Sequence, residues 1–453
     1  MKRLRLLPLL LAALMLAGCT RPAPNGGAQT GGKKSSYLLA APADREFAKH
    51  PSTALKADGS GDYEKYDKLE TEWSRALHDR RNAGETPDMS VFTERLTGEL
   101  AAESGTKNLF FSPANIYIAL AMLTECAEGE TREELLSALG AEEDGSLGKK
   151  VAALMKAELN DDGVTACRLA NSIWMQEGAH DYSAELLSKL AEDYSASSYS
   201  GSFADERFVK LLRDWLNDNT GGLLKESVKE LYISPDTVVA LASAIYFKNS
   251  WQHEFFKDST KEETFHGANG DTVCTMMHVT ADRIPYYEGE GFRAAALEME
   301  DGVCCWVLLP DEGASPESIV GKGLELVKRG RDAMNCGLEV HVAMPKLDMT
   351  CDLDLIPALR NMGVERCFLA DAELDRVTED ENELYVSQIS HSARIIADEE
   401  GVEAAAFTVI AMPESAEFPP QLEKAELILD RPFAFIITGL SNAPLFVGIV
   451  NEI

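Results

Sequence analysis

The stretch Glu399-Glu400-Gly401-Val402-Glu403-Ala404-Ala405-Ala406-Phe407-Thr408-Val409-Ile410-Ala411-Met412-Pro413-Glu414-Ser415-Ala416 follows the long strand-like run Leu384–Ile396. Alternate residues from Val402 are Val402, Ala404, Ala406, Thr408, Ile410 and Met412, all apolar or small, so one whole face of an extended chain could be buried. The other face, Glu403, Ala405, Phe407, Val409 and Ala411, begins with a charge that requires water or a partner. Residues 399–421 offer no core face of a helix, and yet they carry a complete strand pattern. One sequence fitted both to an exposed loop and to a buried strand predicts two states for the segment.

Upstream of this segment the chain reads as helices first and strands later. Helical spacing covers Ser90–Ala102 and Ile116–Thr124, the second after the turn Ser112-Pro113; a third helix starts near Thr131, with Thr131 and Glu134 forming a capping box and Gly140 closing it. Phe208–Leu216 is helical again. Strand patterns follow at Val238–Phe247, Ala294–Met299, Cys304–Leu309, Leu338–Met344 and Leu384–Ile396. The chain closes with Pro432–Ile437 and Leu445–Val450 joined by the turn Ser441-Asn442-Ala443-Pro444. Helices followed by antiparallel strands predict an α+β domain.

The first nineteen of the 453 residues stand apart. Lys2, Arg3 and Arg5 precede an apolar run, Leu6–Leu16, that is short for a membrane span, which is the pattern of a signal peptide. Residues 20–87 are polar with little apolar periodicity and read as a flexible tether. Acidic residues outnumber basic ones by 75 to 43, a net charge of -32, which repels a nucleic-acid backbone and excludes that class of partner. Apart from Cys19 there are eight cysteines, Cys126, Cys167, Cys274, Cys304, Cys305, Cys336, Cys351 and Cys367, with no CxxC pair; buried thiols are expected rather than a metal site, and no cofactor is implied. Neither a G-x-S-x-G elbow nor an H-E-x-x-H helix occurs, so nothing points to a hydrolase.

Residues along 88–453 resemble the serpins, in the family's order: Asn108-Leu109-Phe110-Phe111-Ser112-Pro113 with the Ala119–Leu123 helix, Ala244-Ile245-Tyr246-Phe247-Lys248 with Trp251, Thr264-Phe265, Met276-Met277, Leu308-Leu309-Pro310, Met344-Pro345-Lys346, Glu399-Glu400-Gly401, Glu403–Ala406, and Arg431-Pro432-Phe433. Leu16-Ala17-Gly18-Cys19 similarly resembles a bacterial lipobox, which implies lipidation of Cys19 and an exported, membrane-anchored protein at the cell surface or in a periplasm.

The resemblance implies helices packed on three β-sheets, an exposed reactive-centre loop at about 399–421, a protein that is no enzyme, and a monomer whose partner is a target protease, of the serine class. Insertion of about fifteen loop residues, at about 3.4 Å each, would drag a trapped protease by roughly 50 Å. It also assigns a hinge (Glu399, Gly401, Val402, Glu403, Ala404, Ala405, Ala406), a polar cluster controlling the main sheet (Ser112, Asn115, Ser243, His391), and a pair beneath the loop's exit (Trp251, Lys346), with Glu399 pairing Lys346. Counting sixteen residues from Glu399 places the scissile bond at Ser415-Ala416, suited to elastase-like or subtilisin-like pockets; a one-residue slip gives Glu414-Ser415 and a glutamate-specific protease, and Met412 is a third choice. An inhibitor of cysteine proteases and a non-inhibitory binding protein are the alternatives. Asn115 and Ser243 stand where the family commonly has Ser and Asn, so hydroxyl and amide are exchanged, and the exchange is expected to keep one network to His391.

Overall fold

The computed structural model describes residues 37–43, 45–56, 60–220, 222–224, 231, 233–289, 291–380, 383–402 and 422–453. Three sheets organise them. The largest has the order β1 (Leu38–Ala40), β5 (Ala196–Gly201), β4 (Ala166–Gln176), β6 (Val239–Ser250), β15 (Gly401–Val402), β14 (Ser390–Ala397), β13 (Leu347–Asp354), with β3 (Asn160–Asp161) paired to β4. A six-stranded sheet runs β2 (Leu109–Phe111), β18 (Pro444–Val450), β17 (Phe433–Thr438), β11 (Cys304–Pro310), β10 (Phe292–Glu298), β9 (Tyr286–Gly289). The third runs β16 (Glu423–Ile428), β12 (Leu338–Pro345), β8 (Gly270–Asp282), β7 (Lys261–Gly267). Most pairs are antiparallel as expected, but β4–β5 and β12–β16 are parallel, each bridged by long intervening chain.

Helix α3 (Pro113–Cys126) lies between the first two sheets. Ser112 caps it by accepting from the Asn115 N–H, Pro113 sits in its first turn, and all fourteen residues are buried, so it packs on every side, against β6 and β18 among others. On the opposite face of the largest sheet lies α7 (Glu206–Asp218). Its Phe208, Leu212 and Leu216 cover Ala242 and Ala244 of β6 together with Trp174, whose ring stacks on Tyr199 at 4.1 Å. Strand β6 is therefore buried on both faces, with Ile245 and Phe247 toward α3 and the alanine row toward α7.

Several local expectations need correction. The segment read as a tether contains β1, which adds to β5 through Leu38↔Tyr199 and Ala40↔Ser198, and a nineteen-residue helix, α1 (Tyr63–Arg81). That helix escaped a reading by apolar period because it docks with polar groups: Trp73 Nε1 donates to Asp162 at 3.2 Å, and Arg80 reaches Asp301 at 3.4 Å and the Ala157 carbonyl at 3.0 Å. Helix α2 (Ser90–Ser104) follows it. The third sequence-read helix, α4 (Gly129–Leu139), does end at Gly140 in the left-handed region (φ 64), but it has no capping box. Thr131 instead pairs with Glu373, and Glu134 accepts the N–H groups of Glu365 and Arg366, tertiary bonds that displace the local motif. The strand expected over Leu384–Ile396 begins only at Ser390; Leu384, Val386 and Ile389 before it line a cavity rather than joining a ladder.

Candidate functional site

The chain leaves β14 through a tight reversal. Asp398 accepts from the N–H groups of Glu400 (2.9 Å) and Gly401 (3.3 Å), while its own N–H donates to the Gly401 carbonyl (3.0 Å), returning the chain as β15 beside β6. Trp251 lies under this turn as expected: its indole N–H donates to the Asp398 carbonyl (2.8 Å) and its backbone N–H to the Glu400 carbonyl (3.1 Å). Phe255 N–H donates to the Glu399 carbonyl at 3.1 Å. The Glu399 side chain, only 7 % exposed, receives Lys346 Nζ at 2.6 Å and Thr260 Oγ1 at 2.9 Å. Burial pushes the Glu399 carboxyl up, but Lys346, Thr260 and the backbone outweigh it and hold the acid below the usual carboxylate range. The expected pair is thus present, and on the carboxylate side it is a buried one. Lys257 meets Glu400 at 2.5 Å.

Gly401 is required by close approach rather than by its φ. A Cβ there would stand 2.1 Å from the Asn249 carbonyl oxygen. Val402 then pairs with Ala397 on one side and Asn249 on the other, and is 4 % exposed. Among the described residues these two positions alone connect β6 to β14, which share no ladder of their own. Below Val402 lies a void of about 10 Å³ between Phe247 of β6 and Ile395 of β14, over Phe110 and Phe446. Farther down a cavity of about 440 Å³ opens between Val239 and Leu241 of β6 and the Ser387–Ile389 approach to β14, floored by Leu120 and Leu123 of α3. The two voids mark a slot between β6 and β14.

Midway along the slot is the polar cluster, and the structure brings its four members together. His391 Nε2 accepts from the Ser112 N–H at 3.0 Å; Ser112 Oγ accepts from the Asn115 N–H at 3.2 Å; Asn115 Nδ2 donates to Ser243 Oγ at 2.9 Å. A fifth member was missed. Ser243 donates to Asn171 Oδ1 at 2.7 Å, and Asn171 Nδ2 donates to the Tyr194 carbonyl at 2.9 Å, tying β6, β4 and α6 (Ala184–Asp193) to one chain of bonds. A lone Asn inside the apolar run of β4 was the available signal, since an amide there must find partners. Burial pushes the His391 imidazole down to about 3, so it is neutral at pH 7. Within the described residues Asn115 Oδ1 and His391 Nδ1 have no hydrogen-bond partner although both are buried.

Glu403, Ala404, Ala405 and Ala406 of the hinge, the candidate bait residues Glu414, Ser415 and Ala416, and Cys19 lie outside the described residues. The eight remaining cysteines are free thiols; burial pushes Cys126 and Cys305 up to about 12 and makes them poor nucleophiles. Among the described residues no group of three or more His, Cys, Asp or Glu could hold a metal ion.

Residues 88–453 match the family described as Serpin (serine protease inhibitor). The chain belongs to the serpin family. This serpin is 31 % identical over 381 residues to alpha-1-antiproteinase 2 of Equus caballus, covering 81 % of this chain and 86 % of that one. It is 29 % identical over 413 residues to an uncharacterized serpin-like protein of Thermococcus kodakarensis, covering 88 % and 91 %. Among solved structures it is similar to the thermophilic serpin tengpin in its native state, with a TM-score of 0.69 and 25 % identity over 81 % of this chain and 93 % of that one. The fold is the serpin fold, and serpins are generally protease inhibitors rather than enzymes.

Proposed function

We propose that this serpin is an inhibitory one, which traps a serine protease by drawing its cleaved loop into the slot between β6 and β14. The observation that carries the reading is register. Val402↔Asn249 and Val402↔Ala397 fix the pairing, so a strand continuing from Val402 would match residue for residue along both walls. Residue 404 would fall between Phe247 and Ile395, 406 between Ile245 and Ala393, 408 between Ser243 and His391, 410 between Leu241 and Ile389, and 412 beside Val239. The residues at those positions are Ala404, Ala406, Thr408, Ile410 and Met412: small where the void is about 10 Å³, polar at the polar cluster, and large where the cavity is about 440 Å³. Thr408 is the one hydroxyl of that face, and it would arrive where two buried polar atoms need partners. Pro413 comes one residue beyond the end of β6, so it interrupts no ladder.

The chemistry requires only an ordinary protease attack. The protease serine Oγ attacks the Ser415 carbonyl carbon, its proton passes through the enzyme's base to the amine of Ala416, and the peptide bond breaks to leave an ester. The segment from Glu403 to Ser415, about thirteen residues at about 3.4 Å each, would carry that ester roughly 44 Å down the sheet before water hydrolyses it, close to the roughly 50 Å expected from about fifteen residues. A small Ser415 favours elastase-like or subtilisin-like enzymes, and Glu414-Ser415 is the second choice for the scissile bond.

Mixing the full chain with a panel of serine and cysteine proteases tests the reading. A complex that survives denaturing electrophoresis, together with a released peptide starting at Ala416, is the expected result. Cleavage without a complex would overturn inhibition and favour a binding protein; a released peptide starting at Ser415 would move the bait to Glu414. Export and anchoring rest on Lys2, Arg3, Arg5 and the Leu16–Cys19 lipobox; loss of lipid labelling in Cys19→Ala is the expected outcome. No described helix is long and apolar enough to cross a membrane.

A further inference from the structure

The lower half of the slot differs from the upper. The void under Val402 measures about 10 Å³, whereas the cavity between Leu241 and Ile389 measures about 440 Å³. Both walls of that cavity are fixed by bonds of their own. On the near side Val239 and Leu241 pair with Met175 and Ile173 of β4. On the far side residues 383–389 belong to no ladder, and tertiary bonds hold them instead: the Val386 N–H donates to the Cys367 carbonyl at 2.7 Å, and the Ile389 carbonyl accepts from the Leu355 N–H at 2.8 Å. The cavity is therefore framed before anything enters it, and its volume falls in the range of small-molecule sites, about 300–1,000 Å³.

Its lining has two characters. Leu120 and Leu123 of α3, with Leu374 and Val377, are buried and make an apolar floor. The charged residues that line it are Asp236 and Glu383, both acidic and both exposed, and neither has an ion pair among the described residues. An anion would meet these two carboxylates on a chain whose net charge is already -32. We propose that the cavity is a binding site for a small amphipathic amine, with an apolar body between Leu241 and Ile389 on the α3 floor and an ammonium group at Asp236 and Glu383. Burial of the body supplies most of the affinity, and the two acids, screened by solvent, supply the choice of charge. The site lies on the path that a strand entering between β6 and β14 would take, so an occupant would delay the trap. That consequence rests on the insertion reading above; the binding site does not.

Titration calorimetry of the intact full-length protein with n-octylammonium, n-octanol and n-octanoate, each below its micellar concentration, tests the site. A single octylammonium per chain should bind, octanol roughly three- to tenfold more weakly, and octanoate not measurably. Leu241→Phe fills the cavity without changing any charge and should weaken octylammonium by about tenfold or more, whereas adsorption elsewhere on the acidic surface would be indifferent to it. Asp236→Asn combined with Glu383→Gln should cost octylammonium roughly three- to tenfold and leave octanol unchanged. Octanoate binding as tightly as octylammonium, no binding of octylammonium, or an affinity unchanged in Leu241→Phe overturns the proposal and leaves insertion standing. Should Leu241→Phe not fold, the double variant at the exposed mouth decides: an unchanged affinity for octylammonium there overturns the proposal too. The same titration on protein nicked in its loop separates the two readings. Loss of binding on nicking fits both, and binding that persists keeps the amine site and counts against insertion.

Discussion

Asn115 Nδ2 donates to Ser243 Oγ across 2.9 Å, from α3 to β6. The expected network therefore exists, but it runs to His391 through Ser112 and continues away from it to Asn171. Asn115→Ser shortens the donor and leaves Ser243 and Asn171 half satisfied inside the protein. It should cost about 1–3 kcal/mol in urea unfolding and raise the tendency to polymerise. Unchanged unfolding and assembly would mean that the bond contributes nothing.

Acid should weaken the same region through His391. Its imidazole is pushed down to about 3 by burial, whereas in an unfolded chain it titrates near ~6.5. The unfolded state takes up a proton that the folded state refuses, so the stabilisation is complete above about pH 6.5 and drains away as pH falls toward 3. The slope should reach at most about 1.4 kcal/mol per pH unit, and His391→Gln should flatten it over that window. A pH profile identical in the variant would refute the assignment.

The Lys346–Glu399 pair predicts a second acid-sensitive contribution at lower pH. Glu399 is held below the ordinary carboxylate range, so its contribution is present above the unfolded value near ~4.5 and is lost as pH falls through the folded one. Glu399→Gln should remove that part of the acid dependence and lower the melting temperature at pH 7, as measured by calorimetry at several pH values.

At Gly401 any side chain collides with the Asn249 carbonyl. Gly401→Ala should push β15 off β6, cost about 1–3 kcal/mol, and change the number of serpin molecules consumed per protease trapped. Equal melting and equal stoichiometry would show that the approach can relax.

Thr408→Val keeps shape and removes the hydroxyl that would meet Ser243 and His391. The nicked form should gain less thermal stability than nicked wild type, while an equal gain would place Thr408 elsewhere.

What could be read beforehand follows the kind of interaction. Apolar spacing disclosed α3, α7 and the strands β6, β10, β11, β12, β17 and β18, since burial on one or both faces leaves a period in the residues. Ser112, His391, Trp251, Lys346 and Glu399 were legible through resemblance, and the structure brings each to a partner. Asn171 and the actual partners of Thr131 and Glu134 were not, because long-range polar bonds leave no period. The α1 helix was hidden for the same reason: Leu77 is its one buried residue, and its docking rests on Trp73 and Arg80.

That docked helix changes the length of the leash. A tether of residues 20–87 could span over ~200 Å at about 3.4 Å per residue, but the chain is fastened to the sheet edge from Tyr37 and β1 onward, so the length of residues 20–36 sets an upper bound of roughly 58 Å. If Cys19 is acylated as proposed, the serpin body patrols a shallow layer above its membrane, and only proteases that come within that layer can meet its loop. Trimming the chain to residue 88 would also remove the guanidinium of Arg80 from the buried Asp301, so the piece that matches the family is smaller than the piece that folds.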